Sequence, residues 1–228
     1  MQKLTITSAI VALIVCINST SLVRAEQRWA HELSEFAAED RTQTLSPQIA
    51  FLGSSSIARW HSLHDDMAPR AVYRRGLSGA RIGDILERFG ELIGDNRPRI
   101  VVMFAGSNDI VPGSIDVEAV VTGVEIIYNK VRRLGPAAQF VFIAITPTPH
   151  RRAVINHVLT ANSRVRAWAE KTSHAWYLDA AHHFLTKDGR PNRAFFLDDG
   201  LHLNRDGYAI WTSLLRALLA DLDTRERS

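Results

Sequence analysis

Two apolar runs constrain this chain more than any other feature. Ile100-Val101-Val102-Met103-Phe104 and Phe140-Val141-Phe142-Ile143-Ala144-Ile145 contain no polar residue. They are too short for a membrane span, and their lack of polar alternation predicts strands buried on both faces. Shorter runs read the same way: Ile49-Ala50-Phe51-Leu52 before Gly53, Ala71-Val72-Tyr73 before Arg74-Arg75-Gly76, and Trp176-Tyr177-Leu178 before Asp179. Between them lie helical spacings. Residues 81–92, with Ile93 just beyond, place Ile82, Ile85, Leu86 and Phe89 on one face. Residues 117–134 place Val120, Val121, Val124, Ile127 and Val131 together, and 152–171 and 208–222 repeat the pattern. Strand then helix, repeated, predicts an α/β fold with a five-stranded parallel sheet and helices on both faces. Ligands of such sheets sit at the carboxyl ends of the strands, near the reversal of strand order. The loops after Leu52, Tyr73, Phe104 and Ile145 are therefore where chemistry is expected.

Residues 1–25 read as a secretory signal. Lys3 precedes a mostly apolar run over 4–17, shorter than the roughly 20 residues of a membrane span. Val23-Arg24-Ala25 then suits cleavage after Ala25. The expected product is one domain, 26–228, exported to the periplasm or outside the cell and without a stable membrane span; a retained N-terminal anchor is the alternative. Leu13-Ile14-Val15 before Cys16 is too bulky for a lipoprotein signal. Cleavage removes Lys3 and Arg24 and takes the net charge from +3 to +1, which leaves no electrostatic footprint for nucleic acid. It also removes Cys16, the one cysteine, so neither a disulfide framework nor a cysteine nucleophile is available.

Four loops hold candidate chemistry. Gly53-Ser54-Ser55-Ser56 follows a strand, and a serine there serves either as a nucleophile or as a helix cap. Arg75-Gly76-Leu77-Ser78-Gly79 brings backbone close to a ligand or simply makes a turn. Gly106-Ser107-Asn108-Asp109 offers an amide to a developing negative oxygen, or caps a turn. Asp198-Asp199-Gly200-Leu201-His202 spaces a carboxylate three residues from an imidazole, the base-and-orienter pair that a serine nucleophile requires.

Taken in order, these blocks resemble the SGNH (GDSL-like) hydrolase family of esterases and lipases. The resemblance runs from about Ile49 to Trp211. It implies a three-layer α/β/α, flavodoxin-like fold. The first block, Phe51 to Trp60, is similar to the family's Gly-Asp-Ser, with Ser54 in place of the aspartate and the nucleophile at Ser55. Three consecutive serines leave the register open by one residue, to Ser54 or Ser56; Gly53 before and Trp60 after favour Ser55. The second block implies an oxyanion N–H at Gly79, and the third implies Asn108 as a further oxyanion donor beside the N–H of Ser55. The fourth implies Asp199 and His202 as the rest of the triad.

The resemblance implies a serine-dependent hydrolase of carboxylic esters, acting through an acyl-enzyme without metal or organic cofactor. About twenty residues separate the first two blocks, which leaves no room for a lid domain. Short-acyl, acetyl-type esters of a carbohydrate or small lipid are therefore the expected small-molecule substrates. A thioesterase or lysophospholipase of the same fold is the alternative, and a non-enzymatic secreted binding module is a third reading. A metal hydrolase would need the clusters His61-x-x-His64-Asp65-Asp66 or His182-His183, which have no recognised ligand spacing. Thr146-Pro147-Thr148-Pro149 should lie near the site rim. Arg151 and Arg152 read as a solvated helix start, or as contacts to an acidic substrate group, and Trp29 and Phe36 read as core residues of the first helix of the mature chain.

Overall fold

The computed structural model describes residues 28–42 and 49–225. The leader reading at 1–25 lies outside the described residues. Five strands form one parallel sheet: β1 (Ile49–Gly53), β2 (Val72–Gly76), β3 (Ile100–Phe104), β4 (Gln139–Ile143) and β5 (Ala175–Leu178). Their spatial order is β2-β1-β3-β4-β5, the flavodoxin-like order. A separate antiparallel pair joins 110–111 to 114–115.

Side chains along each strand alternate between two cores, because successive Cβ atoms point to opposite faces of the pleat. Ala50, Leu52, Tyr73, Val101, Met103, Phe140 and Phe142 enter one core. That face is covered by α1 (Ala30–Thr42), α4 (Ile82–Glu87), α5 (Phe89–Ile93), α6 (Val117–Arg132) and α7 (Ile155–Ala169). Ile49, Phe51, Ile100, Val102, Phe104, Val141 and Ile143 enter the other. It is covered by α2 (Ser55–Ala58), α3 (Leu63–Met67) and α8 (Arg205–Arg225). Both cores need apolar side chains, which is why the strands read as continuous apolar runs.

Three boundaries differ from the sequence reading. β2 continues through Arg74-Arg75-Gly76, because Arg75 is itself fully buried. Its guanidinium lies 4.8 Å from the Phe36 ring centroid and 4.6 Å from that of Tyr73, and it pairs with Glu39 and Asp40 of α1 at 2.5 Å each. β4 ends at Ile143, so Ala144 and Ile145 leave the ladder although both stay buried. The single helix expected over 81–92 is two, broken at Arg88; Gly83 and Gly90 weaken a continuous helix there, and each piece still buries its apolar residues. Trp29 and Phe36 are both buried, with Trp29 just ahead of α1 rather than within it.

The register sets the site. Gly53 pairs with Gly76 on one side and Phe104 on the other, so the loops after β1, β2 and β3 leave the sheet side by side. Gly53 is required there: a Cβ on it would lie 2.1 Å from the Phe104 carbonyl oxygen.

Candidate active site

Ser54 caps the four-residue helix α2 with extended backbone, and Ser55 is its first residue. Below this turn, Trp60 stacks on Tyr208 at 5.2 Å and Phe104 packs on Trp211 at 4.7 Å, which ties the segment after α2 and the end of β3 to α8. The Tyr208 hydroxyl donates to the Ser56 carbonyl at 2.8 Å. Of the three serines, Ser55 alone reaches a histidine: its Oγ lies 3.1 Å from His202 Nε2. Ser54 is buried with its hydroxyl unpaired among the described residues, as a small residue at a crowded turn.

His202 is held by the loop before α8. Leu197 N–H donates to the His202 carbonyl at 2.8 Å, and Phe196 bridges to Leu203. His202 Nδ1 lies 2.6 Å from Asp199 Oδ2. The other carboxylate oxygen accepts the N–H groups of Leu201 at 2.8 Å and His202 at 3.0 Å. Burial pushes the Asp199 carboxyl upward, but the hydrogen bonds from His202 and Leu201 outweigh it and hold the group well below the usual carboxylate range. An ionised Asp199 fixes the imidazole with a proton on Nδ1 and leaves Nε2 free to accept one from Ser55. Asp198 makes no such contact; its carbonyl accepts from Arg193.

Asn108 lines the same cleft as Ser55 and His202, together with Thr146, Thr148 and Leu201. The cleft is small: it takes in about 340 Å³ of space, part of it open solvent. The threonines arrive there because Asn162 of α7 pins Ile145, accepting from its N–H and donating to its carbonyl at 2.8 Å each. Gly79 stands in the turn after β2 with φ of 73°, a left-handed conformation suited to glycine, but it is not among the residues that line the cleft. The backbone N–H groups of Ser55 and Gly79 make no protein hydrogen bond among the described residues. A larger hollow of about 800 Å³, part of it open solvent, lies along β5; Ser173 and His174 line it, but no side-chain hydrogen bond joins them among the described residues.

Two features escaped the sequence reading. Arg151 is half-buried rather than fully solvated, whereas Arg152 is exposed. Residues Pro149–Val154 form a 3-10 turn whose backbone departs from helical angles at Arg151 (φ −111°, ψ 27°), and this turns the guanidinium into the cleft. It donates to the Ser107 carbonyl and, at 2.8 Å, to Asn108 Oδ1. Trp29 Nε1 donates at 3.1 Å to the carbonyl of Ser78, the same peptide that carries the Gly79 N–H. Neither contact spans fewer than 43 residues of sequence, so no local pattern announces it. The candidate metal clusters are engaged elsewhere: His61 Nδ1 meets Arg74 at 3.1 Å, and Asp66 accepts from Trp60 Nε1 at 2.6 Å. His182 and His183 pack ring to ring at 3.9 Å.

The model of the GDSL-like lipase/acylhydrolase family matches residues 20–210. The chain belongs to this family. Its fold is similar to that of a Streptococcus pneumonia protein provisionally assigned as a platelet activating factor (TM-score 0.75, 18% identity, 91% of this chain and 99% of that one). It is also similar to a GDSL-like lipase from Bacteroides thetaiotaomicron VPI-5482 (TM-score 0.71, 19% identity, 83% and 97%). A carbohydrate esterase family 3 protein from Talaromyces cellulolyticus shares the fold as well (TM-score 0.59, 17% identity, 77% and 98%). The sequence matches no curated protein. Family membership makes this GDSL-type acylhydrolase a hydrolase, and its sheet order and layers are those expected of one.

Proposed function

We propose that this family member is a serine esterase that cleaves short-acyl carboxylic esters through an acyl-enzyme. The observation that carries the reading is the unbroken hydrogen-bond chain Asp199–His202–Ser55, at 2.6 and 3.1 Å, beside Asn108. His202 Nε2 takes the proton of Ser55 as Oγ bonds to the ester carbonyl carbon. The carbonyl oxygen becomes an oxyanion, received by the N–H groups of Ser55 and Gly79 and the Asn108 amide. Collapse expels the alcohol, which takes the proton from His202. Water then attacks the acyl-serine with His202 again as base, and acid and free Ser55 leave.

The small cleft supports an acetyl-sized acyl group, since a long chain would find little apolar wall to cover it. The likeness to a carbohydrate esterase supports an ester carried on a sugar. The N-terminal pattern supports export after cleavage at Ala25, so such esters would be met in the periplasm or outside the cell.

Hydrolysis of 4-nitrophenyl esters from acetate to decanoate tests the reading. Ser55→Ala should lower kcat by at least about 10⁴-fold while remaining folded. The parent should favour acetate or butyrate over decanoate. A folded Ser55→Ala with parental activity would sink the mechanism, and a preference for decanoate would sink the substrate class.

A further inference from the structure

We propose that Arg151 is a positioning residue for the oxyanion site, acting through the side-chain amide of Asn108. The inference rests on the esterase reading above and deepens it. A side-chain amide can stand in either of two flips, and only one presents nitrogen as donor in a given direction. Arginine carries donors only, so the Asn108 atom that faces it has to be oxygen. That atom is Oδ1, 2.8 Å from Arg151 Nη2. The Ala80 carbonyl is an acceptor, so the atom facing it has to be nitrogen, and Asn108 Nδ2 lies 3.0 Å from it. The two contacts agree on one flip. They leave the second hydrogen of Nδ2 uncommitted on the amide that lines the cleft beside Ser55.

Arg151 also grips the backbone of the same turn through the Ser107 carbonyl, so two of its donors fix one loop as a fork. No ion pair within 4 Å holds it among the described residues; Asp109 acts on it only at longer range, and its charge stands half-buried at the edge of the cleft. A cation bonded to the amide oxygen draws electron density from Nδ2–H and strengthens it as a donor. Arg151 thus orients and polarises the group meant to receive the oxyanion, without itself touching the ester.

The test uses the full chain and its variants Arg151→Met, Arg151→Lys, Asn108→Ala and Arg151→Met/Asn108→Ala. Each is assayed on neutral 4-nitrophenyl acetate, on anionic 4-nitrophenyl hydrogen succinate, and for its rate of labelling by a neutral fluorophosphonate. Arg151→Met should lower kcat on both esters about 10- to 100-fold with KM little changed, and slow labelling to a similar degree. Arg151→Lys, which keeps the charge and loses the fork, should recover part of the rate. Asn108→Ala should cost about 10²- to 10³-fold, and the double variant should be no more than about two-fold slower than Asn108→Ala. Undiminished kcat in Arg151→Met, or losses that multiply in the double variant, would overturn the proposal. A rise in KM confined to the succinate ester would also overturn it, by making Arg151 a binder of anionic substrate. If Arg151→Met does not fold, Arg151→Lys alone and combined with Asn108→Ala decides by the same criterion. Ser55→Ala separates the two readings: its retained activity would remove the esterase and Arg151's role together. An inactive Ser55→Ala beside an unaffected Arg151→Met would remove only the latter. A parent that neither hydrolyses nor labels overturns both.

Discussion

Asp199 carries three hydrogen bonds on two oxygens, and two of the three come from the residue it orients. This makes the turn self-assembling: the backbone bond that forms the turn also sets the carboxylate against the imidazole. Asp199→Asn would keep much of the shape, but its amide nitrogen could face Nδ1 only if that nitrogen were the acceptor, which puts the proton on Nε2. We expect a fall in kcat of about 10⁴-fold with little change in melting temperature, the second readout separating tautomer from folding. Asp109 behaves oppositely. It is buried, and burial raises its carboxyl to about 6 despite the Ile82 N–H bonded to both oxygens and the charge of Arg81 nearby. A carboxyl whose folded value lies above its unfolded one favours the native state while protonated, and that contribution is lost as pH rises from about 4 to about 6. Urea melts of the parent and Asp109→Asn across this window should show the parent losing stability relative to the variant as pH rises. A constant difference would mean that Asp109 titrates alike in both states.

At the scale of elements, α1 is fastened to β2 by one buried cation. Asp40 is largely enclosed while Glu39 is half exposed, and both hold Arg75. Removing the enclosed partner leaves the buried cation only the solvent-screened Glu39, whereas the exposed partner is replaced by water. Asp40→Ala should therefore cost about 3 kcal/mol and Glu39→Ala less than about 1 kcal/mol in denaturant unfolding. Equal costs would contradict the asymmetry. The same elements show what the sequence makes legible. β3 and β4 could be read because both faces of each need apolar residues, and α6 because Val120, Val124, Ile127 and Val131 keep one helical face. That Ser55, Asn108 and His202 would meet, with Asp199 against His202, was legible because their motifs are local and ordered. Arg75 was not, since its partners come from another element; it looked like the start of a polar loop. Arg151 was hidden for the same reason, and the break at Arg88 depends on how two short helices fit the sheet.

At the scale of the whole molecule, the site occupies the reversal of strand order, where β1 has β2 on one side and β3 on the other. Loops diverging there open a cleft without cutting into either core. The arm before β1 belongs to this arrangement, because Trp29 holds the Ser78 carbonyl and Phe36 covers Arg75. The proposed cleavage after Ala25 leaves only Glu26, Gln27 and Arg28 ahead of Trp29, the first buried side chain among the described residues. A chain of residues 26–228 should then match the full chain in melting temperature and esterase activity. A chain of residues 43–228 loses Trp29 and Phe36, each worth about 1.5–3 kcal/mol of burial, and strands Arg75 without a carboxylate. Against a typical total of about 5–15 kcal/mol, that loss should lower the melting temperature by at least about 10 °C. An unchanged melting temperature for 43–228 would show that the domain begins at β1 and that the arm is dispensable. Lowered stability in 26–228 would place the domain boundary inside the leader and contradict its removal.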